Sequence, residues 1–258
     1  MPDVADRTLQ PTRRVIGDVD PAQPLDTTHP LLRGLEAFWL PLPSTSGGSR
    51  LYDLSAFGRD GTINGAAWAQ LTSPPLPALN FERSNADFVE SEEIDIEGEV
   101  YLAAWVRAES IKDRLNYILG GGFESGVESF FLRLEDGNNL KVGSFNNGSE
   151  YATTYSGISE NVLYFVEGGY VGSSWRLRVN GDDVSSKSGL TGALENNEVA
   201  SIGAFIREGS DKRHFNGVIA APMVFSEWKS QSLYDQARRG FPDLLRTRSS
   251  PTLVSTSG

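Results

Sequence analysis

The sequence predicts an all-β protein: two packed antiparallel sheets with one short helix near the C-terminus. Three observations carry this expectation. From Leu35 onward, short apolar or alternating runs are separated by clusters of Gly, Asn, Asp and Ser, which is the texture of antiparallel strands and turns. Only one segment, Ser230 to Arg239, has convincing helical spacing. The 258 residues are 39% hydrophobic and hold 27 Gly and 13 Pro, enough for one large β-domain with a packed core. No repeat of fixed period is present, which argues against a propeller or a solenoid.

Residues 1–30 carry Pro2, Pro11, Pro21, Pro24 and Pro30, and their few apolar residues follow neither strand nor helix periodicity. They cannot bury a core of their own, and read either as a flexible leader or as an extended arm that orders only against a partner. The clearest strand is Trp175-Arg176-Leu177-Arg178-Val179, with Trp175, Leu177 and Val179 on one face and both arginines on the other. Asn180-Gly181 then supplies two residues that tolerate φ > 0, as a type I′ turn demands, so a returning strand is expected near Val184. Further strands are expected at Tyr101 to Arg107, Ser129 to Leu134, Leu140 to Phe145, Leu163 to Tyr170, Ala200 to Phe205 and Val218 to Phe225. In the helix, Ser232 and Asp235 form a weak capping box, Leu233 and Ala237 share a face, and Gly240 and Pro242 end it. This divides the chain into an arm (1–30), a sandwich (31–242) and a tail (243–258), the last ending in the small, polar run Ser249 to Gly258.

Composition removes several function classes. Without cysteine there is no disulfide framework, thiolate metal site or thiol nucleophile, and only His29 and His214 offer an imidazole. A net charge of −11 argues against a general nucleic-acid binder. The opening MPDVADRTLQPTRR has no apolar h-region, so no secretory signal is expected, and no apolar run is long enough for membrane insertion.

The order of motifs then becomes specific. Gly34-Leu35-Glu36-Ala37-Phe38-Trp39-Leu40-Pro41-Leu42 is followed by Leu51-Tyr52-Asp53-Leu54-Ser55-Ala56-Phe57-Gly58-Arg59-Asp60-Gly61-Thr62-Ile63. Then come Leu79-Asn80-Phe81 with Asp87-Phe88-Val89, the strand Val100 to Arg107, Trp175 to Gly181, Ile202-Gly203, and one closing strand-and-helix segment, Phe215 to Phe225 with Leu233 to Gly240. Seven such segments, in this order over about residues 34–241, resemble the laminin G-like, concanavalin A-like family. The resemblance implies a two-sheet antiparallel jelly-roll sandwich with the short C-terminal helix. The chain departs from the family where many relatives place an acidic pair: it has Ala220-Ala221-Pro222. Since proline cannot donate to a ladder, that strand is expected at an edge or interrupted there.

Glu93-Ile94-Asp95-Ile96-Glu97 has the spacing of the catalytic carboxylates of jelly-roll β-glucanases that resemble lichenase. In the laminin G-like register, however, Ile94 and Ile96 are the buried pair and the acids face solvent, so no catalytic residue is assigned. Gly120-Gly121-Gly122 opens no helix and reads as a bulge or tight turn rather than a phosphate loop. His214 reads as a loop residue in the polar stretch after Arg207, and neither histidine has the neighbours of a metal site or a catalytic triad. Relatives often hold calcium at a rim of the sandwich, for which Asp87, Asp136 and Asp211 are candidates, but no ligand set can be assigned. Trp39, Trp68, Trp105 and Trp175 are expected in the core and Trp228 partly exposed. Arg238, Arg239, Arg246 and Arg248 form a basic cluster that reads as a solvated tail, with a docking tail as the alternative.

The segments His29 to Pro43 and Ser49 to Ser55 also resemble stand-alone family members found in phages. That resemblance implies a bacteriophage virion protein, a capsid decoration or fibre-like subunit docking through its arm, forming a homo-oligomer with other virion proteins as partners, and displaying the jelly roll for glycan adhesion. A carbohydrate-binding module outside any virion is the alternative, and a β-glucanase the third reading. No cofactor is expected apart from unassigned calcium.

Overall fold

The computed structural model describes residues 25, 29–41, 48–96, 98–111, 115–121, 128–146, 149–189, 198–205 and 213–241. In chain order its strands are β1 (Leu35–Phe38), β2 (Arg50–Leu51), β3 (Gly61–Asn64), β4 (Ala67–Gln70), β5 (Pro77–Phe81), β6 (Phe88–Ile94), β7 (Val100–Ala108) and β8 (Leu115–Gly121). There follow β9 (Glu128–Glu135), β10 (Asn139–Asn146), β11 (Ser149–Ser156), β12 (Tyr164–Val171), β13 (Ser174–Val179), β14 (Asp182–Ser188), β15 (Glu198–Ile202) and β16 (Gly217–Phe225), and then the single-turn helix α1 (Tyr234–Ala237).

The strands form two eight-stranded antiparallel sheets. The first runs β14-β13-β12-β7-β16-β5-β4, with β1 also on β16; the second runs β11-β10-β9-β8-β15-β6-β3-β2. Neighbours such as β7 and β16 are far apart in sequence, so the chain crosses repeatedly between the sheets, as in a jelly roll. The main core lies between the sheets, where Trp39, Leu79, Val89, Leu102, Leu132, Val142, Trp175 and Leu177 meet.

A second apolar layer covers the outer face of the first sheet. Leu25, Leu32, Phe38, Leu40, Leu54, Leu71, Leu76, Leu233, Ala237 and Phe241 pack there against Tyr101, Ala103, Trp105, Phe165, Met223 and Phe225. This explains why β7 and β16 read as continuous apolar runs: both of their faces are buried. Among the described residues, the outer face of the second sheet carries the cluster Tyr117, Phe131 and Phe205.

Asn180 and Gly181 take φ of 52° and 92°, and the hairpin returns as β14, as the sequence predicts. One expectation resolves to the second of its two alternatives, and one changes. The Ala220-Ala221-Pro222 strand is interrupted but is not an edge: β16 lies between β7 and β5. Its register on β7 shifts between Ala220 and Met223, Ala221 has φ of 49°, and β16 leaves β5 after Ile219 and joins β1 from Met223. Pro222 sits at this handover, where its missing N–H costs nothing and its carbonyl accepts from Trp39 N at 3.1 Å. The helix is shorter than the span from Ser230 to Arg239. Ser232 Oγ donates to Glu167 on the sheet while accepting from Tyr234 N, so it does not stand at the N-cap, which is Leu233. Leu233 and Ala237 do share the buried face, and Gly240, with φ of 77°, ends the turn.

Candidate functional site

The motif from Leu51 to Ile63 builds the fold rather than a reactive centre. The buried Asp53 carboxylate accepts from Phe38 N at 2.8 Å, Ser55 N at 2.9 Å, Ser55 Oγ at 2.6 Å and Arg59 N at 2.9 Å. Asp60 accepts from Asp53 N at 2.7 Å, and Trp39 Nε1 donates to Arg59 O at 2.8 Å. Burial pushes the Asp53 carboxyl above its ordinary pKa, with these four hydrogen bonds pulling the other way. All four donors belong to the loop or to β1.

The outer face of the second sheet is where polar chemistry gathers. Strand alternation puts Phe130, Leu132 and Leu134 of β9 into the main core and turns Phe131, Arg133 and Glu135 outward. Register places Tyr117 and Lys141 on either side of Arg133. Arg133 Nη1 donates to the Tyr117 hydroxyl at 2.9 Å, Nε and Nη2 donate to Glu135 at 2.9 and 2.6 Å, and Nη2 also donates to Glu150. Lys141 Nζ bridges the same two carboxylates at 2.8 and 2.9 Å. The guanidinium lies 3.9 Å from the Phe131 ring centroid, and Tyr117 stacks on Phe205 at 4.9 Å.

The result is a charge-balanced quartet over an aromatic base. Burial opposes the charged form of Glu150, but the hydrogen bond from Lys141 and the charges of Arg133 and Lys141 outweigh it and hold the carboxyl below its ordinary range. Burial likewise opposes the Lys141 ammonium, yet Glu135 and Glu150 raise its pKa. Arg133 is 4% exposed, whereas Glu135, Lys141 and Glu150 are 17–31% exposed, so only the outer members can meet a ligand.

Directly after Glu135, the turn from β9 to β10 opens a rim cleft of about 350 Å³ lined by Ile111, Asp136, Gly137, Asn138, Ser159 and Glu160. Its walls come from three loops tied together. Ile158 N donates to Asn138 O at 3.3 Å, Glu160 accepts from Ile111 N at 2.9 Å, and Asn139 Nδ2 donates to Asp136 O at 2.7 Å. The carboxylate of Asp136 and the amide of Asn138 are exposed, and the buried Ile111 gives the cleft an apolar side. Such a mixture can accept and donate to hydroxyls while covering a C–H face.

Of the residues singled out in the sequence, Asp136 alone lies in this cleft. Glu93 is exposed on β6 and Asp95 is exposed beyond its end, with Ile94 and Ile96 buried as the laminin G-like register implies. Glu97 lies outside the described residues, as do Gly122, Asp211, Arg207, Arg246, Arg248 and the tail.

Gly120 and Gly121 are neither a bulge nor a turn but lie in β8, paired with Phe131 and Phe130; the register shift comes earlier, between Tyr117 and Leu119. A Cβ on Gly121 would come within 2.3 Å of the Phe130 ring, so glycine makes room for it. Asp87 is buried and accepts from Glu82 N at 2.8 Å. His214 is in a loop, as expected, but buried, its Nδ1 lying 3.1 Å from Asp87 O; His29 Nδ1 accepts from Leu31 N at 3.2 Å in a short turn. Among the described residues no group of three His, Cys, Asp or Glu is placed to hold a metal ion.

Trp39, Trp105 and Trp175 are core residues, Trp68 is half-buried, and Trp228 is half-buried between Tyr101 and the guanidinium of Arg178. Arg238 pairs with Asp235 at 2.9 Å, and Arg239 donates to Asp235 O at 3.0 Å. The sequence reading missed the quartet and most of the cleft. Outward alternation of Phe131, Arg133 and Glu135 was a usable signal for the first; the cleft joins three distant loops and had no local one.

Comparison with known proteins agrees with this architecture. Residues 83–232, more than half of the chain, match the laminin G-like family model described as the concanavalin A-like lectin/glucanases superfamily. The chain belongs to that superfamily. Among solved structures it is similar to the receptor binding domain of botulinum neurotoxin D, at 13% identity and a TM-score of 0.60, over 80% of this chain and 52% of that one. It is also similar to the binding domain of botulinum neurotoxin DC in complex with SialylT, at 12% identity and a TM-score of 0.60, over 82% of this chain and 52% of the other. A structure described by the dependence of botulinum neurotoxin type C cell entry on two ganglioside molecules matches at 14% identity and a TM-score of 0.60, over 82% and 51%. The chain thus spans about half the length of these structures, and the likeness is one of fold. No curated protein matches it by sequence.

Proposed function

We propose that the protein is a non-enzymatic carbohydrate-recognition module, carried on a bacteriophage particle as a homo-oligomeric capsid-decoration or fibre-like subunit. The observation that carries the recognition reading is the rim cleft of about 350 Å³, where Asp136, Asn138, Ser159 and Glu160 offer hydroxyl partners beside the apolar side chain of Ile111. Its volume suits one sugar residue. Ligands named for the fold neighbours, SialylT and gangliosides, point the same way. The neighbours are binding domains, and Glu93 and Asp95 line neither the rim cleft nor the groove along β14, which supports the non-enzymatic reading.

The particle-borne part rests on the resemblance of His29 to Pro43 and Ser49 to Ser55 to phage-associated family members. A cysteine-free chain of net charge −11 suits folding in a reducing cytoplasm and exposure on a surface that faces away from packaged nucleic acid. Closed symmetry is the usual state of such subunits. Two measurements test the proposal. A glycan array probed with the full chain should give saturable binding that Asp136→Ala weakens, and the chain should co-sediment with particles from its source lysate while a 31–258 truncation does not. Failure to bind any glycan refutes the first part; equal pelleting of both chains, or of neither, refutes arm-mediated docking.

A further inference from the structure

A second cleft lies elsewhere, along β14, the last strand of the first sheet. A groove of about 440 Å³ is lined by Ser174, Arg176, Asp183, Val184, Ser186 and Ser188, with Ser185 completing it. Its origin is the hairpin of β13 and β14. Alternation turns Trp175, Leu177 and Val179 into the core and leaves Arg176 exposed on the other face, while β14 contributes a run of serines. Ser185 is tied across the sandwich to Thr153 of β11 at 2.7 Å, and Ser174 donates to Ser188 at 3.0 Å, so the hydroxyl-bearing walls are held in place.

The two arginines of β13 differ in what they meet. Arg178 is nearly buried, bonded to Asp183 at 2.6 Å and to the carbonyls of Lys229 and Ser230 at 2.8 and 3.1 Å. Arg176 has no hydrogen-bond or ion-pair partner among the described residues, and the Trp228 ring centroid lies 5.8 Å from its guanidinium. In a chain carrying 34 acidic side chains against 23 basic ones, an exposed guanidinium with no carboxylate partner among the described residues is suited to an external anion. Asp183 shares the groove, but its charge is already engaged by Arg178.

From this arrangement we infer a second binding site, for an acidic saccharide whose carboxylate or sulfate pairs with Arg176 while its hydroxyls meet the serine walls. The lining favours a sugar over the two other occupants of a sheet edge. The register of β14 on β13 shifts between Leu177 and Arg178, which breaks the regular ladder that an added peptide strand needs. A nucleic acid or other long polyanion would meet the chain's overall negative charge. The groove is formed by β13 and β14 of the first sheet and the rim cleft by the loops at Ile111, Asp136 and Ser159, so this site stands or falls independently of the proposed function.

The test is amide and side-chain NMR on the full chain, titrated with a tetramer of galacturonic acid, its methyl ester and a heparin-derived tetrasaccharide. The free acid should shift the signals of residues 174–188 and bind at least about tenfold more tightly than the ester, since the ester removes the charge-assisted bond. Stronger binding by the heparin fragment assigns the oxyanion as sulfate; stronger binding by the galacturonate assigns it as carboxylate. Arg176→Gln should cut affinity at least tenfold with Tm unchanged, and Ser186→Glu, an exposed change that places an acid in the groove, should do the same. Equal binding of acid and ester, shifts that map away from β13 and β14, or full affinity in both variants would overturn the assignment.

Discussion

Replacing Glu167 tests how the apolar layer outside the first sheet is held. Glu167 is fully buried on β12, where its carboxylate accepts from the Tyr101 hydroxyl, from Leu233 N at 2.7 Å and from Ser232 Oγ at 2.6 Å. It thereby fastens the segment leading into α1 to the sheet. Glu167→Ala strands two buried donors, the Tyr101 hydroxyl and Leu233 N, at about 1–3 kcal/mol each, while the Ser232 hydroxyl turns to other partners. The expected loss is about 3–5 kcal/mol in a domain whose whole stability is of order 5–15 kcal/mol.

Glu167→Gln should behave differently. One amide oxygen can still accept from Tyr101 and Leu233, and the amide nitrogen can donate to Ser232 Oγ, so the expected cost is within about 1 kcal/mol. Burial raises the Glu167 pKa against the pull of Ser232, Tyr101 and Leu233, so the folded chain binds this proton more tightly than the unfolded chain. Its contribution to stability is therefore fully present below the ordinary value of 4.5 and is lost as pH rises through the raised one. The Gln variant should lack this decline. Urea unfolding followed by tryptophan fluorescence across that range measures all three proteins. An alanine variant as stable as the parent, or a glutamine variant as damaged as the alanine one, would refute the reasoning.

Other predictions use the same assay. Gly169→Ala should destabilise by about 3 kcal/mol or more, because a Cβ there would lie 2.0 Å from the carbonyl oxygen of Val100 in the neighbouring strand. Glu150, whose pKa is depressed, contributes stability that is present above its ordinary value of 4.5 and lost as pH falls through its lowered one; Glu150→Gln should flatten that acid limb, and an unchanged limb would contradict the quartet's role. Asp136→Ala should leave Tm within about 1 °C, since the side chain is exposed, and a large drop would show that the cleft needs it structurally.

The sandwich was legible in the sequence wherever one strand carried both a pattern and a turn. Trp175, Leu177 and Val179 with Asn180-Gly181 specified a hairpin that the structure reproduces, because side-chain period and turn chemistry are both local. β11, Ser149–Ser156, was not legible: it is an edge strand whose one buried position is the polar Thr153, and Tyr151 and Tyr155 are only half-buried. Pro222 carried half its meaning locally. That it interrupts a ladder follows from its missing N–H, whereas its place in a central strand depends on β5 and β1 handing over there, which no local pattern records. For the site, Phe131, Arg133 and Glu135 alternate visibly with Phe130, Leu132 and Leu134, but the identity of their partners on β8, β10 and β11 is a matter of register. Asp136 was named as a rim residue, and its neighbours Ile111 and Glu160 came from loops that only folding brings together.

The most direct test of the recognition reading is a glycan array probed in parallel with the parent chain and an Asp136→Ala, Ser159→Ala double variant of equal Tm. The account predicts saturable binding by the parent to a restricted set of glycans and loss of that binding, by about tenfold or more, in the variant. Absence of binding by the parent, or equal binding by both proteins, would contradict it.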